Sequence, residues 1–174
     1  MSIITQRGDD GMTDLMFGRR ISKTSLRFSA LGTIDELNAA IGLARVADAE
    51  GTHTELLDRL QNLLFGLMGQ LACLPEDQHR YSEKGYAEVS LDDLNWLTKT
   101  AKRIEATGVK MTHWAVPGAE GSLMKAHLDY ARTVSRRAER DVLTLHESGG
   151  EVPEVVRVFL NRISDLMWIL ARSK

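Results

Sequence analysis

Cys73 and three prolines are the whole stock of two residue types that constrain a backbone in this 174-residue chain, and aromatics make up only 6% of it. One cysteine excludes any disulfide or zinc framework within the chain. Because Cys73 sits inside the apolar run "LMGQLACL", it reads as a small buried hydrophobe rather than a reactive thiol. Charge of one sign is also lacking: 22 basic and 24 acidic residues leave a formal net charge of −2. That balance excludes a global attraction to nucleic acid or an anionic membrane, so any anion site must be local. Nowhere do 18 uncharged apolar residues run together, and "MSIITQRGDD" contains no stretch of signal-peptide character. The sequence is therefore expected to be cytoplasmic, with no membrane and no nucleic-acid partner. Neither GxxxxGK[ST] nor GxGxxG occurs, no strand pattern exceeds a few residues, and no repeat or low-complexity segment is visible.

What remains is helical periodicity. Hydrophobic residues at 43% and charged residues at 26% suit a single core, with one domain over 1–174. From Thr33, "TIDELNAAIGLARVAD" spaces Ile34, Leu37 and Ile41 by three and four, and Thr33 with Glu36 has the form of a capping box. A second helix follows, with Thr52 and Glu55 in the same relation and Leu60, Leu64, Leu67 and Leu71 along one stripe. After Pro75 the polar "EDQHRYSEKGYAEV" reads as a loop, and Ser90 with Asp93 opens a third helix that stops near Gly108. A fourth begins at Ser122 and carries Leu123, His127, Tyr130, Val134, Ala138, Val142 and Leu145. Pro153 suits the first turn of a fifth, apolar on most of its surface and hence central. The fold class expected is all-α, a five-helix antiparallel bundle over residues 33–174, preceded by a glycine-rich segment over 1–32.

Chemistry-bearing residues cluster at three places. Arg132, Arg136 and Arg140 stand at i, i+4 and i+8, a spacing at which like charges repel unless compensated. Glu139 and Asp141 make a solvated basic face one reading; an anion clamp is the other, since guanidinium forks hold phosphate bidentately. Arg157, Asn161 and Asp165 form a polar stripe through the last helix, either paired structurally, as Arg162 with Asp165, or facing a ligand at Asn161. The segment "RGDDGMTDLMFGRR" supplies glycines that let backbone amides approach an anion, with Arg19, Arg20 and Lys23 adding charge.

In the same order and at similar separations, "GDDGMTDLMFGRR", "GTIDELNAAIGLAR", "VPGAEGS", "ARTVSRRAER" and "FLNRISDLMWILAR" resemble the ATP:cob(I)alamin adenosyltransferases of the propanediol-utilisation type, over about residues 5–172. The resemblance implies transfer of the 5′-deoxyadenosyl group of ATP to cob(I)alamin with release of triphosphate, using Mg²⁺, in a homotrimer whose sites lie between subunits. The product would pass to a cobalamin-dependent enzyme. Carried over by motif position, Gly8, Asp9, Gly11, Thr13, Arg19 and Lys23 would wrap the triphosphate. Asp35 would pair with Arg136, Arg140 would reach the polyphosphate and Asn161 the nucleotide, with Glu139 a structural partner in the arginine set; Asp35, Arg136 and Arg140 would be the catalytic set. Trp114 would meet the corrinoid, core packing being its other reading. The family's "PGGS" is "PGAEGS" here, which places Glu120 in a loop near the expected corrinoid face, and His113 precedes Trp114. A bundle that binds ATP or cobalamin as a carrier or chaperone is the alternative from another class.

Overall fold

Ser25, not Thr33, starts the first long helix. In the computed structural model, which describes residues 4–111 and 114–173, α1 spans Leu26–Val46 and the Ser25 hydroxyl accepts from the Phe28 amide at 3.3 Å. The capping box expected at Thr33 and Glu36 is not formed, because the apolar spacing already runs through Ala30 and Ile34 and Ser25 satisfies the orphan amide. Thr33 instead lies mid-helix, its hydroxyl 2.5 Å from Asp141 Oδ2 and 3.0 Å from the Ser29 carbonyl. The segment assigned to the glycine-rich loop therefore gives up its last residues to the bundle.

α2 covers Thr54–Ala72 with His53 at its N-cap and no side-chain cap from that residue. Here too the expected box, Thr52 with Glu55, is absent. Asp48 takes its place from the preceding loop, accepting from the His53 amide at 2.8 Å and the Thr54 hydroxyl at 3.0 Å. The stretch expected to be a loop after Pro75 contains a short α3, Gln78–Glu83, closed by Gly85 at φ +63°. α4, Leu91–Glu105, begins at the expected capping box: Ser90 accepts from the Asp93 amide at 3.2 Å and Asp93 accepts from the Ser90 amide at 3.1 Å. α5, Leu123–Glu147, is capped by Ser122, and α6, Glu154–Leu170, follows Pro153. The molecule is thus a mostly helical bundle, with six α-helices among the described residues where five were expected, α3 being the addition.

α1 lies against both α2 and α5, α5 also against α6, and α6 against α4. The core follows the leucine rows: Ile34, Leu37 and Ile41 of α1, Leu60, Leu64 and Leu67 of α2, and Phe159, Leu160 and Ile163 of α6 are fully buried. On α5 the buried row is Leu128, Ala131, Val134, Ala138, Val142 and Leu145, whereas Leu123 and Tyr130 of the expected stripe are exposed. Asp129, buried beside Leu128, is held by Arg172 through both of its oxygens, at 2.8 and 3.1 Å, and by Arg132 at 3.4 Å. A buried carboxylate demands such partners.

Ahead of α1, β1 (Met12–Asp14) and β2 (Arg20–Ser22) form an antiparallel hairpin with Thr13 opposite Ile21. A single 3₁₀ turn, Met16–Gly18, joins them.

Candidate functional site

The hairpin is a scaffold for the glycines before it. Gly11 has φ +79°, a conformation that costs a side-chained residue free energy, and its amide donates to the Gly8 carbonyl at 3.3 Å. Lys23 closes the loop from the other strand: its amide donates to the Gly11 carbonyl at 2.8 Å and its Nζ to the Gly8 carbonyl at 2.6 Å. A Cβ on Gly8 would stand 2.7 Å from that Nζ, so a side chain there would push the end of the lysine aside. Asp10 accepts from the Met12 amide at 3.0 Å and from Arg20 at 3.1 Å, which holds its carboxyl below the usual carboxylate range. Asp9 and Thr13, by contrast, make no side-chain hydrogen bond or ion pair with any described residue.

Arg19 is committed elsewhere. Its Nε donates to Oδ2 of Asp77 at 2.6 Å, while Arg80 donates to Oδ1 at 3.0 Å. Asp77 lies in the stretch whose composition predicts a loop, and no signal in the sequence joins it to Arg19, 58 residues earlier. The Arg80 guanidinium also lies over the Phe17 ring, 4.2 Å from its centroid, and Phe17 faces Tyr86 at 6.3 Å. The hairpin turn is therefore gripped by the segment after α2.

On the bundle, the Thr33–Asp141 contact sets the first half of α1 beside the second half of α5. Asp35, Arg136 and Arg140 are exposed there. Among the described residues Asp35 and Arg136 do not pair; the neighbouring Glu36 and Arg137 do, and Tyr130 donates to Glu36 at 3.4 Å. Asp35 is left without a side-chain partner, and Arg140 donates only to the Arg136 carbonyl, at 3.0 Å. Glu139 accepts from Asn161 Nδ2 at 3.0 Å, which ties α5 to α6 instead of neutralising the arginines. Arg162 and Asp165 pair at 2.8 Å, as one reading of the polar stripe expected. Of the three stripe arginines only Arg132 is neutralised, by Asp129. Arg136 and Arg140 remain two adjacent cations with no carboxylate, an arrangement that suits a polyanion.

Trp114 is 92% exposed, which removes the core-packing reading. It lines a cavity of about 320 Å³ with Val116, Glu120, Lys125, Asp129 and Arg172. Glu120, the departure in "PGAEGS", accepts from Lys125 at 2.6 Å at the rim of that cavity. His113 lies outside the described residues.

Residues 3–174 match the family model described as cobalamin adenosyltransferase. The chain belongs to the cobalamin adenosyltransferase family. Its similarity to the corrinoid adenosyltransferase PduO of Salmonella typhimurium is 35% identity over 177 residues, all of this chain and 50% of that protein. The PduO of Citrobacter freundii is 34% identical and likewise half covered, so the chain spans about half the length of these two relatives. A corrinoid adenosyltransferase of Bacillus subtilis is 37% identical, with 99% of this chain and 86% of that protein aligned. Among solved structures, a variant PduO-type ATP:corrinoid adenosyltransferase from Lactobacillus reuteri, complexed with cobalamin and ATP, superposes with a TM-score of 0.86 at 26% identity, covering 98% of this chain and 89% of that one.

Proposed function

We propose that this chain, as one adenosyltransferase domain, transfers the 5′-deoxyadenosyl group of ATP to the cobalt of cob(I)alamin and releases triphosphate. The observation that carries this reading is the pair Arg136 and Arg140, exposed on α5 without a carboxylate, beside a helix led in by a glycine-rich hairpin. Membership in the family over residues 3–174 and the ATP- and cobalamin-bound relative support it. Gly8, Asp9, Gly11, Thr13, Arg19 and Lys23 would hold the triphosphate, with Arg140 offsetting the charge that grows as it departs. Asn161 and Glu139 would meet the nucleotide, and Asp35 would orient Arg136.

Cob(I)alamin is itself a strong nucleophile, so the protein's task is to orient the ribose 5′ carbon toward it. The 5′ carbon–oxygen bond breaks, the electron pair leaving with triphosphate, and the cobalt–carbon bond forms. The Trp114 cavity is at the small end of ligand pockets, about 300–1,000 Å³, and would take one edge of a corrin. Mg²⁺ would arrive with ATP: no group of three or more His, Cys, Asp or Glu able to hold a metal exists among the described residues, and a magnesium bound mostly by phosphate and water needs only one or two carboxylates, for which the unpaired Asp9 is available. When bound, it would neutralise phosphate charge.

A homotrimer completes the site. Val46 on α1, 80% exposed, and Phe65 on α2, 61% exposed, are large apolar side chains that a second copy would cover. The expected location is the cytoplasm, and no helix among the described residues is long and apolar enough to cross a membrane. Anaerobic incubation with MgATP and reduced cobalamin tests the activity through the adenosylcobalamin spectrum. Saturable binding of both ligands without that spectrum would identify a carrier instead.

A further inference from the structure

Asp77 is only 3% exposed, yet it is an ionised carboxylate, held below the usual range first by the hydrogen bond from Arg19. Each of its oxygens has one guanidinium, Arg19 on Oδ2 and Arg80 on Oδ1. Losing either would leave a buried charge half satisfied, so Arg19 is not free to abandon it when another anion arrives. The contact uses only one edge of Arg19. Its Nε is bound, while neither Nη has a partner among the described residues, and the side chain is 44% exposed. A guanidinium pinned at Nε presents its other edge in a fixed direction, and a planar fork so held is organised to receive an oxyanion.

The surroundings point the same way. Phe17 adopts φ +59°, which a residue with a side chain holds only when its neighbours enforce it. Arg80 over its ring and Tyr86 tilted against it supply that enforcement, and the Tyr86 ring in turn lies tilted 5.2 Å from that of Tyr81, whose hydroxyl donates to the Ala87 carbonyl at 2.8 Å. Asp77 thus sits at the junction of an ionic and an aromatic grip on one hairpin turn.

We propose that Asp77 is the positioning residue of the nucleotide loop: it anchors Arg19 through Nε so that both Nη groups face the triphosphate, while Arg80 and Tyr86 hold the turn that carries it. This rests on the adenosyl-transfer reading, and the acidic residue acts on ATP only through Arg19.

The test measures MgATP affinity by calorimetry and KM for ATP in adenosyl transfer, on the full chain. Asp77→Asn and Arg19→Ala should each weaken MgATP binding and raise KM by about tenfold, the scale of one lost charged hydrogen bond, with the smaller change in kcat. The double variant should be no worse than Arg19→Ala alone. Arg19→Lys keeps the charge beside Asp77 but has no second edge, so it should raise KM to a similar extent; this exposed substitution leaves the fold intact even where Asp77→Asn does not. Additive losses in the double variant, or Arg19→Lys with KM within twofold of the parent, would overturn the proposal. A parent that binds MgATP yet makes no adenosylcobalamin would instead defeat the transferase reading and leave the calorimetric arm to decide the role of Asp77.

Discussion

Arg140 offers its guanidinium to nothing but a carbonyl one turn back, so its removal disturbs little of the fold. Arg140→Ala should therefore lower adenosyl transfer on the order of 10²-fold or more while the thermal midpoint stays near that of the parent. Turnover within about threefold would show that Arg140 does not stabilise the departing triphosphate. Asp35 is the companion case. The family resemblance implies a pair with Arg136, but within one chain the two are exposed and unpaired among the described residues, so Asp35→Asn is expected to leave chain stability nearly unchanged and to lower transfer. A double-mutant cycle with Arg136→Ala in transfer rate checks this: non-additivity means that they act together in the assembled site, and additivity separates them.

The two kinds of helix start make different predictions. α4 relies on a local reciprocal cap, so Ser90→Ala should cost about 0.5–2 kcal/mol in chemical denaturation. α2 relies on Asp48 from outside the helix, and its His53 is shifted below the ordinary histidine range by burial, against the pull of the Asp48 charge. A histidine depressed in the folded state takes up protons more readily when unfolded. Its contribution is fully present above about pH 6.5 and falls as the pH drops below that value toward the folded pKa. Asp77 and Asp93 are depressed carboxylates, so theirs is present above about pH 4 and lost as the pH falls further, through their folded values. Thermal midpoints should therefore decline in two separate acid windows, and His53→Gln should remove the upper one alone. A His53→Gln midpoint that still falls between pH 7 and 5.5 by as much as the parent's would rule this out.

At the scale of the whole molecule, Val46 and Phe65 bear on association and Phe159 on the core. Light scattering is expected to give a trimer, and Phe65→Glu, which places charge on the surface a second copy would cover, should shift it toward monomer without unfolding α2. A concentration-independent monomer in the parent would refute the trimer. Phe159, fully buried on α6, should cost about 3–5 kcal/mol when cut to alanine, whatever the assembly.

Periodicity determined the inward rows of α2 and α6, because Leu60, Leu64 and Leu67 or Phe159 and Ile163 must face inward whatever they pack against. Local chemistry determined the caps at Ser90 and Ser122, whose partners lie three residues away. Motif order pointed to the family and to the residues of the candidate site. Tertiary structure decided what depends on distant partners: that Thr33 binds Asp141 instead of capping α1, that Asp129 is buried with Arg172 as its partner, and that Arg19 is held by Asp77. A side chain with several possible partners chooses by geometry and desolvation, and those exist only once the helices have packed.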